Sequence, residues 1–141
     1  MSLPLIVLDT SVLVAALRSR RGASFQIVWS IGLGHFEFAL SVPLVLEYEQ
    51  AMLQKRPRGR TTADVETLLD YVCAEGRHQE VFYLWRPLLR DPKDDMVLEV
   101  AVAAGCEQIV THNGRDFAEA EQFGVHVASP AEFLGQIRET T

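Results

Sequence analysis

The chain has 141 residues, of which 48% are apolar and 23% charged, and its formal net charge is −6 at pH 7. Such a composition belongs to a globular protein, long enough for one domain over residues 1–141 with a sizeable core, and it contains no apolar run long enough for a membrane span. The first residues lack a basic region followed by a small-residue cleavage site. Cys73 and Cys106 form no Cys-x-x-Cys or Cys/His cluster, so they read as buried free thiols in a reducing, cytoplasmic setting.

"LIVL" (5–8) is a short apolar run ending at Asp9, the pattern of a strand buried on both faces. "SVLVAALRS" follows as a helix. "SFQIVWSIGLG" (24–34) reads as a second helix closed by glycines. "HFEFALS" (35–41) alternates loosely, as a strand does. Ser41 can cap the next helix, with Pro43 in its first turn, and that helix runs to about Lys55. "TTADVETLLDYVCAEG" (61–76) places Val65, Leu68, Leu69 and Val72 on one helical face, and Gly76 stops it. "EVFYLW" (80–85) predicts a strand and "DDMVLEVAVAAG" (94–105) a helix with acids at its positive end. "QIVTHN" (108–113) is a strand, "RDFAEAEQFG" a short helix, "VHVAS" a strand and "PAEFLGQIRE" a last helix.

Strands and helices therefore alternate, with few hairpin signals. The expected class is α/β, with a mainly parallel central sheet and helices on both faces. Sites in such sheets form beyond the carboxyl ends of the strands. Asp9 stands at one such end, and the segment from Thr111 to Asn113 at another.

Four places combine an acid with an unusual context: Asp9 after the first strand, Glu47 inside apolar "LVLEY", the group Asp91, Asp94 and Asp95 in "RDPKDD", and Asp116 in "VTHNGRDF". Each has a purely structural reading. Asp9 and Asp116 can cap helices, Glu47 can face solvent, and the aspartates of "RDPKDD" can sit at a helix N-terminus. Taken together they say more. Carboxylates gathered at one sheet end repel each other and lose hydration, and a divalent cation offsets both costs. Mg²⁺ takes oxygen ligands and keeps several waters. Acids around such an ion suit phosphodiester hydrolysis. His35, His78, His112 and His126 have no zinc-ligand spacing. A P-loop and a dinucleotide-binding glycine motif are both missing. Ser11 stands where phosphatases with D-x-D would need their second acid, and the acidic pair and late lysine of a receiver domain are missing.

The acidic total speaks against nucleic acid, but positive charge is clustered in "RSRR" (18–21) and "KRPRGR" (55–60). Arg18, Arg20, Arg21, Lys55, Arg56, Arg58 and Arg60 are candidates for backbone contact, against the plainer reading of solvated basic loops. Tyr48, Trp85 and Phe117 can stack on bases, although core packing is the commoner use.

"IVLDTSVLVAAL", "SVPLVLEYEQAM", "RDPKDDMVLEVAVAAGCEQIVTHNGRDF" and "VHVASPAEFL" together resemble the PIN-domain family over about residues 4 to 135. They are most similar to the VapC-like PIN domains that act as toxins of toxin–antitoxin pairs. The resemblance implies a three-layer α/β/α sandwich, Rossmann-like in outline, and a Mg²⁺- or Mn²⁺-dependent ribonuclease. It places the catalytic acids at Asp9, Glu47, Asp94 and Asp116, with Asp9, Asp94 and Asp116 holding metal. Thr10 and Ser11 match the small polar residues after the first acid, Asp91 and Asp95 are close rivals of Asp94, and Thr111 and Asn113 support the last motif. Many relatives carry Asp where this chain has Asn113, a neutral ligand, which leaves open whether Asp116 fills that place. The expected partners are an RNA substrate, an antitoxin protein and a second copy of the chain. Two other readings stand beside this one. One is a catalytically weakened PIN-like module that binds RNA or protein. The other is a structure-specific DNA nuclease, disfavoured because the chain lacks large duplex-gripping insertions.

Overall fold

The computed structural model describes residues 3–81 and 89–139. Its elements run β1 (Leu5–Leu8), α1 (Thr10–Arg18), α2 (Ala23–Trp29), β2 (Glu37–Leu40), α3 (Val42–Gln54), α4 (Thr62–Glu75), β3 (Arg77–His78), α5 (Pro92–Ala104), β4 (Gln108–Val110), a 3-10 helical segment (Gly114–Phe123), β5 (His126–Ala128) and α6 (Pro130–Glu139). The five strands form one sheet in the order β3-β2-β1-β4-β5, and every neighbouring pair is parallel. Helices flank this sheet, as the alternating pattern predicts.

The local chemistry explains most boundaries. Ile6, Val7 and Leu8 are fully buried, so β1 has no solvent face, and that is why its sequence is apolar without alternation. Ser41 Oγ accepts the Leu44 amide at 3.2 Å and starts α3. A reciprocal cap starts α4: Thr61 Oγ1 accepts the Asp64 amide at 3.2 Å, and Asp64 Oδ2 accepts the Thr61 amide at 2.8 Å. Gly105, at φ +69°, takes the left-handed conformation that closes α5. Tyr48, Phe117 and Phe133 are among the largest fully buried side chains. The first two are therefore unavailable for stacking on bases, while Trp85 lies outside the described residues.

The third strand departs from expectation. Gly76 ends α4, and the chain pairs at once with β2 through Ala39↔Arg77 and Leu40↔His78. A side chain at Gly76 would meet Leu40 Cδ2 at 2.6 Å and Phe38 Cε2 at 2.8 Å, so this tight return requires glycine. β3 is an exposed edge strand of Arg and His, with no apolar pattern to read. Glu80 and Val81 are not strand, and residues 82–85 of the expected strand lie outside the described residues. The expected helix over 24–34 is also shorter, because it ends at Trp29 and the chain turns through Gly32 and Gly34 at positive φ.

This topology creates the site. From β1 the chain steps outward to β2 and β3, then returns to the other side of β1 for β4. The connections diverge between β1 and β4, which opens a crevice at their carboxyl ends. Leu8 pairs with Val110 in register, so the next residues, Asp9 and Thr111, emerge side by side at its floor.

Candidate active site

Asp9 is 5% exposed, and its side chain does not cap α1. Its Oδ2 accepts two hydroxyl hydrogen bonds instead, from Ser11 at 2.6 Å and from Thr111 at 2.8 Å. Its amide donates to the Val110 carbonyl at 2.9 Å. Oδ1 receives no hydrogen bond from the described residues, and none of their buried polar side-chain atoms lacks a partner. Oδ1 thus stays accessible on a carboxylate whose position is fixed. Tyr48 reinforces the same point from α3, because its buried hydroxyl donates to the Leu8 carbonyl. Burial, and then the charge of Asp9, hold the Tyr48 phenol well above its ordinary value, so it remains a donor.

A cleft of about 520 Å³ opens over Asp9. Thr10, Ser11 and Arg18 reach it from α1, Glu47 and Lys55 from α3 and its C-terminal cap, Asp91, Lys93 and Asp94 from the cap and first turn of α5, and His112, Asn113 and Asp116 from the segment after β4. The four acids singled out in the sequence, Asp9, Glu47, Asp94 and Asp116, therefore share one cavity, although they lie on four different segments. Glu47 is 8% exposed, so the solvent-facing reading of that residue fails. Asp94 is half-buried. Burial, and then Asp9, Asp91, Asp116 and Asp95 in that order, push its carboxyl up to about 7. A group of this kind is a frequent mark of a functional site.

The remaining acids divide. Asp91 caps α5 by accepting the Lys93 amide at 3.0 Å while lining the cleft edge. Asp95 is not among the cleft-lining residues. It is buried, and its Oδ1 accepts the Leu89 amide at 3.0 Å. Among the basic candidates, Arg18 and Lys55 line the cleft. Arg20, Arg21, Arg56 and Arg58 are exposed outside it. Arg60 Nε donates to the Leu17 carbonyl at 3.3 Å and lines a separate groove between α1, α2 and α4. Thr111 Oγ1 also accepts the Asn113 amide at 3.0 Å, which ties the last motif to Asp9.

Two cleft residues escaped the sequence reading. His112 donates its amide to Ser11 Oγ at 3.2 Å, and its Nε2 lies 2.7 Å from the buried Ser24 hydroxyl of α2. Its signal was its place between Thr111 and Asn113. Lys93 stands between acids in "RDPKDD", and its Nζ lies 3.8 Å from Glu47 Oε1.

The donor set is one of hard oxygens, which fits Mg²⁺ or Mn²⁺ and not a thiolate or imidazole metal. Among the described residues no three His, Cys, Asp or Glu side chains form a ready cage for a metal. An ion that keeps its waters and takes one or two carboxylates directly suits this wider spacing. Among the described residues no helix is long and apolar enough to cross a membrane.

Curated protein sequences gave no match. Among solved structures, the chain is similar to one described as the crystal structure of VapBC2 from Rickettsia felis bound to a DNA fragment from their promoter. The TM-score is 0.59 at 14% identity, covering 89% of this chain and 98% of that one; a likeness at this identity is one of fold. The PIN domain family profile matches residues 5–115. That span includes β1 through β4 and every acid of the cleft but Asp116, and by it this chain belongs to the PIN domain family.

Proposed function

We propose that the protein is a divalent-metal-dependent endoribonuclease, the toxin component of a toxin–antitoxin pair, acting in the cytoplasm as a homodimer. The observation that carries the reading is the crowding at Asp94. A carboxyl held near 7 by burial and four neighbouring aspartates is poorly placed without a cation and well placed with one. Asp9, Asp94 and Asp116 would hold the ion, directly or through water. When bound, Mg²⁺ or Mn²⁺ supplies a water of lowered pKa and a positive charge for the leaving oxygen.

The chain's own residues supply the rest. Ser11 and Thr111 keep Asp9 oriented, as outer-shell partners of a metal ligand do. Glu47, buried on the α3 wall, orients the attacking water and takes its proton. Asn113 and Asp116 border the opposite side. Arg18 and Lys55 offer positive charge to the substrate backbone. A recessed floor favours single-stranded or looped RNA over a stiff duplex. An acidic cleft also suits capture by a partner that inserts a positive side chain, and the structural neighbour VapBC2, described with promoter DNA, supports looking for such a partner.

A second reading, a PIN module that binds RNA or protein without cutting, draws on the neutral Asn113 and on the lack of a preformed cage among the described residues. One assay separates the two. Single-stranded and structured RNA are incubated with Mg²⁺ or Mn²⁺, with EDTA and Asp9→Asn as controls and DNA of the same sequence alongside. Metal-dependent cutting of RNA that both controls abolish supports the nuclease. No cutting by folded protein leaves the binding module, and cutting confined to DNA moves the activity to the other nuclease class.

A further inference from the structure

The mechanism above leaves Lys93 unused, and its position is unusual. Asp91 caps α5, Pro92 is its first residue and Lys93 its second. The cap fixes the Lys93 backbone, with the amide donating to Asp91 Oδ1 at 3.0 Å. Asp94 follows in the same turn and lines the same cleft. Four carboxylates crowd Asp94, yet the ammonium of Lys93 spans the gap between helices to Glu47 Oε1, 3.8 Å away on α3.

Glu47 has reason to hold it. Its side chain is only 9% exposed, and its carboxylate oxygens, which keep some access to the cleft, receive no hydrogen bond from the described residues. Lys93 is its one ion-pair partner among them. At 3.8 Å the ammonium is beyond good hydrogen-bond distance, so it neutralises the charge without satisfying the oxygen. A largely buried carboxylate with so loose a partner gives it up readily once a divalent charge enters the cleft.

Resting on the metal-site reading, we infer that Lys93 is the resident counter-ion of the acidic cleft: it occupies Glu47 while the metal is away, and metal binding displaces it. Lys93 is thus a positioning residue that sets how much divalent ion the site needs, not a ligand. Its side chain is 57% exposed and stands at the cleft mouth, so displacement needs no backbone movement.

The test is Mn²⁺ affinity of the whole protein, measured by electron paramagnetic resonance of free Mn²⁺ at pH 8. Lys93→Met should bind Mn²⁺ roughly three- to thirtyfold more tightly, the range expected for a partly exposed pair. Lys93→Arg should stay near wild type, because it keeps the charge. Lys55→Met controls for the general field, since Lys55 lines the same cleft but pairs with no described acid, and it should gain clearly less. The inference is overturned by an unchanged or weaker affinity in Lys93→Met, by an equal gain in Lys55→Met, or by undetectable Mn²⁺ binding in all the proteins. RNA cleavage measured on the same samples keeps the two claims apart. A selective gain in affinity without cutting removes the nuclease and leaves the counter-ion. Metal-dependent cutting without the gain does the reverse.

Discussion

Asp94→Asn should stabilise the metal-free protein at neutral to alkaline pH. Burial, and then Asp9, Asp91, Asp116 and Asp95, push this carboxyl up to about 7 from an ordinary 3.8. The native state therefore binds a proton more tightly than the unfolded chain does. Stability contributed by the protonated group is full below about 4, falls as the pH climbs toward 7, and is gone above it. Each pH unit of such a rise corresponds to about 1.4 kcal/mol, and solvent screening at a half-buried carboxyl reduces the total to ~1–2 kcal/mol. Asparagine carries no charge to repel. At pH 8 in EDTA the variant should melt about 3–8 °C above wild type, and the gap should close toward pH 4. Saturating Mg²⁺ should remove most of the difference by stabilising the wild type. Thermal unfolding followed by circular dichroism at pH 4, 6 and 8 measures all of this. A variant no more stable than wild type at pH 8, or equally more stable at pH 4, would refute the claim that crowded carboxylates strain the cleft.

Three other outcomes follow from the same geometry. Tyr48→Phe removes the donor to the Leu8 carbonyl and should cost about 1–3 kcal/mol in urea unfolding. Thr111→Val removes the 2.8 Å bond to Asp9 and the acceptor for the Asn113 amide; cleavage or Mn²⁺ affinity should fall roughly ten- to a hundredfold, and unchanged values would mean that Asp9 needs no such support. Arg18→Ala should weaken RNA binding and lower the salt slope by about 0.7, whereas Arg60→Ala, whose guanidinium is tied to the Leu17 carbonyl, should lower the melting temperature and leave that slope unchanged.

The sheet was legible wherever burial shapes composition. β1 is apolar because both its faces are covered, and the strands at β2 and β4 carry the same mark. The start of α3 was legible because Ser41 is a capping residue followed by proline, and it does cap the helix. β3 was misplaced because an exposed edge strand of two residues leaves no apolar trace, and the apolar run downstream drew the assignment to itself. The acids were suspected one by one, but their meeting in one cleft is a property of the β1–β4 crossover. No spacing in the sequence encodes it. Burial of Glu47 was equally hidden, since one face of a helix reads the same whether water or another helix covers it. Lys93 and His112 were passed over because their roles lie in contacts across elements, with Glu47 and Ser24. Arg60 shows the opposite error: a basic cluster groups residues by sequence, whereas the fold sends Lys55 to the cleft and Arg60 to another groove.

The central claim is that the acids of the cleft hold a divalent cation over Asp9. Its most direct measurement is the anomalous difference density of crystals grown at pH 8 in Mn²⁺, for the wild type and for Asp9→Asn. The account predicts a peak in the wild type within ligand distance of Asp9 or Asp94, and its loss in the variant. A well-ordered cleft without a peak in saturating Mn²⁺, or an undiminished peak in Asp9→Asn, would contradict it.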